Sequence, residues 1–106
     1  MEERITVFIK QPGGELYEEK IPNTLETLQK IVEGYIETVT IANDCVIICN
    51  EEGKVKGLPE NCRVCGVDFV GTIIFAGVEE DRFCDMPIGI EPFKALTKFW
   101  RDRNDN

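Results

Sequence analysis

The sequence predicts an α+β domain, with a mostly antiparallel or mixed sheet of four to five strands and two helices in the order β-β-α-β-(β)-β-α. Several short segments alternate apolar and polar residues or are apolar throughout, which is typical of strands. Two other segments repeat their apolar residues at helical spacing. A length of 106 residues suits one domain. We therefore expect a single domain over residues 1–106, with residues 101–106 as a frayed tail.

The N-terminal segment predicts a β-hairpin. Ile5, Val7 and Ile9 alternate with more polar neighbours, as in a strand with one apolar face. Residues 11–14 read Gln-Pro-Gly-Gly, a combination that favours a turn. Residues 15–21 form the second strand, which is polar enough to lie at the edge of a sheet.

The next segment predicts the first helix. Asn23 is a suitable N-cap, and Glu26 three residues later completes a pattern similar to a capping box. The apolar residues that follow share one helical stripe: Leu25, Leu28, Ile31, Val32, Tyr35, Ile36 and Val39. Gly34 costs such a helix about 1 kcal/mol relative to alanine and indicates either close approach to the sheet or an early helix end. The β-branched residues from 38 to 41 indicate that the chain has left the helix there.

The second half of the chain supplies the remaining elements. Residues 45–49 are apolar on both faces, which favours a central strand. Residues 54–57 predict a short additional strand, 68–78 a second central strand, and 79–89 a charged connection. Glu91-Pro92 opens the last helix. Its expected buried stripe is Phe93, Leu96, Phe99 and Trp100. We expect both helices to cover the same face of the sheet.

The charge and the missing histidine restrict the possible functions. The chain carries 20 acidic and 12 basic residues, a net charge of −8. Direct nucleic-acid binding is not expected, because it requires clustered basic residues. Without histidine, a single chain cannot form a Cys–His or Ser–His catalytic pair. No segment has the length and apolar character of a membrane span, and the N-terminus lacks the pattern of a signal peptide. We therefore expect a cytoplasmic protein that does not bind membranes.

Five cysteines allow two interpretations. Cys62 and Cys65 form a CxxC, with Cys45 and Cys49 before it and Cys84 after it. In a strand, Cys45 and Cys49 would lie about 13 Å apart, so they could not share one metal ion, although either could join the other three. The alternative is reduced thiols, with Cys45 and Cys49 as small buried apolar residues. We favour the thiols and expect no metal site and no cofactor, while metal binding or disulfides at Cys62, Cys65 and Cys84 stay open.

A candidate ligand site lies in the connections around the central strands. Its residues are Asn50, Glu51, Asn61, Arg63, Gly71 and Thr72. Asparagine both donates and accepts hydrogen bonds, arginine can clamp a carboxylate or phosphate, and glycine allows a ligand close to the backbone. The alternative is structural: Arg63 pairs with Glu60 or Asp68, Asn61 closes its own turn, and the glycines form bends. No catalytic residues can be assigned.

The order of segments resembles a family of domains of unknown function (DUF3846) from Gram-positive bacteria, their phages and conjugative elements. The matching segments cover most of residues 4–78: ITVFIKQPG, IPNTLETLQKIVEGYIETV, VIICNEEGKVKGLPEN-C-R and VGTIIFAGV. The resemblance implies an accessory protein of a mobile element or phage. It supplies no catalytic residues, and it directs attention to the connection from Asn50 to Arg63 and to Gly71-Thr72.

These observations favour a non-enzymatic binding module for a protein partner or a small anionic ligand. One alternative is an acidic mimic of DNA that inhibits a nucleic-acid-binding protein. Another is a carboxylate–metal phosphoester hydrolase that uses some of the dispersed acids. A homodimer through the polar edge strand at 15–21 or through the terminal aromatic helix is also open.

Overall fold

A computed structural model of the chain describes the backbone of residues 3–104 and the side chains of residues 3–97. Within these residues the chain forms eight strands and two helices. In order they are β1 Arg4–Lys10, β2 Tyr17–Pro22, α1 Leu25–Val32, β3 Ile36–Ala42, β4 Cys45–Asn50, β5 Glu60–Val64, β6 Val67–Val70, β7 Ile73–Glu79, β8 Arg82–Cys84 and α2 Glu91–Asn104.

The main sheet has six strands and is antiparallel throughout. Five strands follow the order β2-β1-β7-β4-β3, and β8 pairs with β7 beyond the point where β1 leaves it. A separate two-stranded sheet joins β5 to β6. The predicted α+β class, the antiparallel sheet, the N-terminal hairpin and the central position of β4 are confirmed. The β2 edge is confirmed as well.

Apolar side chains cover both faces of the main sheet. Successive residues of a strand point to opposite faces, so a strand that is apolar throughout contributes to both. Along β4, Cys45, Ile47 and Cys49 belong to one core cluster, whereas Val46 and Ile48 belong to the other. The first cluster is closed by the β5–β6 hairpin and α2, and the second by α1. The expectation that both helices cover one face is therefore wrong.

Helix α1 is shorter than its apolar stripe suggested. Its N-cap is Thr24, whose Oγ1 accepts a hydrogen bond from Thr27 N–H at 3.1 Å, so the expected cap at Asn23 is one residue early. The helix ends at Val32 because Glu33 takes the left-handed conformation, with φ of 65°. The N–H groups of Glu33 and Gly34 both donate to Gln29 O, which closes the last turn.

The residues after α1 form a strand that the sequence analysis missed. The apolar spacing predicts Tyr35, Ile36 and Val39 on the helical stripe, but Ile36 and Val39 lie in β3 and Tyr35 immediately precedes it. The strand pairs with β4, and this satisfies the backbone groups of a β-branched segment that has a low helix propensity.

Further differences lie after β4. The expected short strand at residues 54–57 is a turn, and the expected strand at 68–78 is two strands, β6 and β7, separated by Gly71-Thr72. Gly71 has φ of 72°, a backbone conformation that ends β6 and redirects the chain. The charged connection at 79–89 contains the short strand β8.

Helix α2 begins at Glu91 as predicted. Phe93 packs on Phe8 and Phe75, with ring centroids at 5.6 and 5.4 Å. Leu96 is exposed, so that part of the predicted buried stripe is wrong, whereas Thr97 is buried. The side chains of Phe99 and Trp100 lie outside the described residues. Residues 101–104 belong to α2, and the fraying predicted at 101–106 stays a prediction. Within the described residues, no helix is long and apolar enough to cross a membrane.

Candidate binding cleft

A cleft of about 220 Å³ lies between the main sheet and the β5–β6 hairpin. One wall is formed by Glu37 and Val39 of β3 together with Cys49 of β4, and the opposite wall is β6. The turn at residues 51–57 closes the cleft between the two walls and contributes Lys54 and Val55. We call this feature the β3–β6 cleft. Two residues of the predicted site, Asn50 and Glu51, line it.

Local hydrogen bonds fix the shape of the turn at 51–57. Gly53 N–H donates to Asn50 O at 3.2 Å, and Lys56 N–H donates to Glu52 O at 2.9 Å. Leu58 N–H then donates back to Gly53 O at 3.0 Å. A Cβ at Gly53 would lie 2.8 Å from a methyl group of Val70, so glycine allows the turn to approach β6 closely.

Asn50 is the anchor of this turn. Its side chain is 6% exposed, and its Nδ2 donates to Val32 O at 3.0 Å and to Glu33 O at 3.2 Å. Its Oδ1 accepts a hydrogen bond from Glu52 N–H at 2.7 Å. The amide therefore caps the C-terminus of α1 and starts the turn, so that it positions the cleft.

Asn61 joins the β5–β6 hairpin to the main sheet. It is 4% exposed and occupies a bulge in β5 between Glu60 and Cys62. Its Nδ2 donates to Lys10 O at 2.8 Å and to Gly71 O at 2.7 Å. Within the described residues its Oδ1 has no hydrogen-bond partner. The amide thus bridges two elements that are distant in sequence, and the alternative in which Asn61 closes its own turn is not observed.

The other predicted site residues lie on the hairpin and beside it. Arg63 is exposed and its Nε lies 3.1 Å from Asp68 Oδ1, across the β5–β6 pair. Gly71 is buried and forms the bend after β6, while Thr72 is partly buried. Arg63, Asn61, Gly71 and Thr72 do not line the β3–β6 cleft, and Asn61 points inward where Arg63 points outward. The six residues therefore lie along the boundary between the main sheet and the β5–β6 hairpin, which we call the seam. They do not form one cluster.

The electrostatics of the cleft are acidic. Its charged residues are Glu37, Glu51 and Asp68 against Lys54. Burial raises the pKa of the Cys49 thiol to about 11, with Glu37 adding to the rise and Lys54 opposing it. The thiol is therefore protonated at neutral pH and is a poor nucleophile there.

The other thiols and acids are distributed over several elements of the described residues. Cys45, Cys49 and Cys62 are buried and Cys65 is exposed, and each of these is a free thiol; the prediction that Cys45 and Cys49 fill the core is confirmed. In the described part of the chain, no three Cys, Asp or Glu side chains converge on a position for one metal ion.

The sequence analysis missed several residues of the cleft. Val55 is 90% exposed and stands between Lys54 and Lys56 in a polar turn. A single apolar residue in a polar turn is common on protein surfaces, so Val55 did not mark the cleft in the sequence. Glu37 gave no signal, because its place in the cleft depends on the unexpected strand β3.

A second, more open depression of about 450 Å³ lies around β8. Asp44, Glu79 and Asp85 surround Cys84 there. Burial raises the pKa of the Cys84 thiol, and these carboxylates raise it further. Asp85 Oδ1 also accepts a hydrogen bond from Thr6 N–H at 2.7 Å, so this acid holds β1 where it separates from β7.

Comparison with known proteins identifies the family. The family model described as "Domain of unknown function (DUF3846)" matches residues 5–98, and the chain therefore belongs to this family. The match extends well past the segments that carried the resemblance in the sequence. No curated protein and no solved structure matches the chain.

Proposed function

We propose that this DUF3846 protein is a non-enzymatic binding module and that the β3–β6 cleft is its binding site. The observation that carries the proposal is a cleft with a charged rim and apolar side chains, held open by hydrogen-bonded elements. Concave sites of mixed apolar and polar lining are the usual place for ligands. The setting in a mobile element or phage is part of the same proposal, and it rests on the resemblance of the sequence segments alone.

Of the two ligand classes expected, a protein segment suits the cleft better than a small anion. Glu37, Glu51 and Asp68 repel anions, and Lys54 alone offsets them within the lining. Arg63 already faces Asp68. Val55 is 90% exposed and lines the same cleft as Val39 and Val70. This grouping also favours a protein partner, because contiguous apolar patches mark interaction sites whereas single apolar residues do not.

A thermal-shift screen tests this proposal. The panel contains nucleotides, pyrophosphate and a library of short peptides. A ligand at one hundred times its Kd stabilises the folded state by about 2.7 kcal/mol. For a chain of this size, that corresponds to a rise in Tm of roughly 10 °C or more. Peptide hits support the proposal, and a panel without any hit contradicts it.

Two matched variants locate the binding. Val55→Asp places a charge in the cleft at a side chain that is 90% exposed, so stability should change by less than about 0.5 kcal/mol. Ile88→Asp is the control, because Ile88 is also an exposed apolar residue but does not line the cleft. The shift should disappear in Val55→Asp and persist in Ile88→Asp. A shift that persists in both variants would place the site elsewhere, and an anionic hit lost in Arg63→Ala would restore the small-anion alternative.

A further inference from the structure

Strand β3 is an edge of the main sheet and also a wall of the cleft. It pairs with β4 on one side, and no strand of the described residues pairs with its other side. The outer side of an edge strand presents backbone N–H and C=O groups that can pair with another chain. Glu37 and Val39 of the same strand line the cleft, so the free edge and the cleft form one continuous surface.

The backbone groups that face outward can be assigned from the hydrogen-bond pattern. Glu51 N–H donates to Tyr35 O at 2.8 Å, and this pair continues the register of Ile36 with Asn50. Bonded and non-bonded pairs alternate in an antiparallel ladder. Glu37 and Val39 therefore bond to β4, whereas Ile36, Thr38 and Thr40 turn their N–H and C=O groups away from it.

The two edges of the main sheet differ in their protection. Strand β2 reads YEEKIP, and the lysine, the paired glutamates and the proline are residues that discourage pairing at an edge. Strand β3 reads IETVTIA and contains neither lysine nor proline. Its only irregularity is a register shift between Thr40 and Ala42, at its end. The contrast indicates that the β3 edge is kept available.

We propose that β3 pairs with an extended segment of a partner protein whose alternate side chains are basic and apolar. This inference rests on the proposed function of the cleft and names its occupant. Side chains on one face of the added strand would lie over the cleft, next to Glu37 and Val39. A basic side chain opposite Glu37 complements an acidic lining, and apolar side chains extend the contact with Val39 and Val55. A second copy of the chain suits the edge less well, because each copy carries a net charge of −8.

A synthetic peptide as long as β3, seven residues, tests the pairing. The probe is acetyl-Thr-Val-Thr-Val-Thr-Lys-Thr-amide, in which one face carries Val, Val and Lys and the other carries Thr. Binding is measured by fluorescence anisotropy of a labelled copy and located by amide shifts in NMR spectra of the intact chain. We expect shifts in β3, the turn at 51–57 and β6.

A peptide with a modified backbone distinguishes strand pairing from binding through side chains alone. N-methylation of alternate residues on the bonding side removes the donors and blocks the ladder while the side chains stay the same. We expect affinity to fall about ten- to hundredfold, since two or three hydrogen bonds are lost. A peptide with Glu in place of Lys should also bind more weakly. Equal binding of the N-methylated peptide would overturn the inference.

Thr38 provides the matched test on the protein. Thr38→Pro removes an outward N–H that β4 does not use, and proline is tolerated at such edge positions. Thr38→Val keeps the N–H and removes only the hydroxyl group. The peptide should bind Thr38→Val normally and bind Thr38→Pro about fivefold more weakly, since one hydrogen bond of about 1 kcal/mol is lost. If Thr38→Pro does not fold, the comparison of the N-methylated and plain peptides alone tests whether the peptide pairs with β3.

The outcomes separate this inference from the proposed function. Binding to the β2 edge, a dimer of the chain in light scattering that excludes the peptide, or no binding of the probe would each overturn pairing at β3. Peptide hits from the thermal-shift screen that depend on Val55 but tolerate N-methylation would leave the cleft as a binding site and reject the edge pairing.

Discussion

Replacement of Asn50 by alanine should destabilise the protein severely, although the change removes only a few atoms. The side chain makes three hydrogen bonds, to Val32 O, to Glu33 O and from Glu52 N–H. Each such bond contributes about 1 kcal/mol net, and buried groups left without partners cost more. We therefore expect the free energy of unfolding to fall by about 3 kcal/mol. That is a large part of the roughly 5–15 kcal/mol that holds a domain folded.

Urea denaturation followed by circular dichroism measures this loss. The midpoint should fall while the slope stays unchanged, because the surface exposed on unfolding is the same. Asn50→Asp keeps the acceptor for Glu52 N–H but cannot donate to the two carbonyls at neutral pH, so it should show most of the loss. Glu51→Ala is the control: its side chain is exposed and the change should stay within about 0.5 kcal/mol.

A small effect would refute the reasoning. If Asn50→Ala lost less than about 1 kcal/mol, the three bonds would contribute little, and the amide would be free to serve a ligand. Loss of peptide binding at unchanged stability would then return Asn50 to the binding site as a direct contact. The expected result is the reverse, in which binding falls only because the turn at 51–57 is no longer held.

Two further predictions concern other parts of the core. Gly77→Ala should prevent stable folding, because a Cβ there would overlap the backbone carbonyl of Asp85, whereas Gly89→Ala should be harmless because nothing lies within 4 Å; a thermal melt of both variants checks this contrast. Burial raises the pKa values of Cys45, Cys49 and Cys62 to about 11 from 9.0. Because the folded state keeps these thiols protonated to higher pH than the unfolded state does, stability should be intact below pH 9 and fall between pH 9 and 11; a flat urea midpoint across that range would contradict it.

The sequence was sufficient for elements whose neighbours are local. The hairpin of β1 and β2 followed from alternation and a Pro-Gly-Gly turn, and the start of α2 followed from Glu91-Pro92. Strand β4 was recognised because both of its faces are apolar, and this is what two core clusters on opposite sides of one sheet require.

The end of α1 could not be predicted for a specific physical reason. The residue in the left-handed conformation is Glu33, not the neighbouring glycine that such positions favour. Gly34 serves a different purpose, because a Cβ there would lie 2.6 Å from Asn50 Nδ2. The glycine is thus required by a side chain sixteen positions away in sequence, and no local pattern reveals that contact. A helix predicted to continue past Val32 leaves no residues for β3, so the sequence does not predict this edge strand.

Contacts between residues distant in sequence also explain why the roles of the predicted site residues could not be read from the sequence. Asn50 and Asn61 attracted notice as polar residues next to central strands, and both indeed lie at the seam between the main sheet and the hairpin. Their amides are occupied in holding that seam, one through α1 and the other through Lys10 O and Gly71 O. A residue that positions a cleft and a residue that binds in it look alike in sequence. The groups still available to a partner are those the seam does not use: the acids of the cleft, the exposed Val55 and the outward backbone of β3. In the proposed function, the asparagines therefore shape the cleft but do not contact the partner.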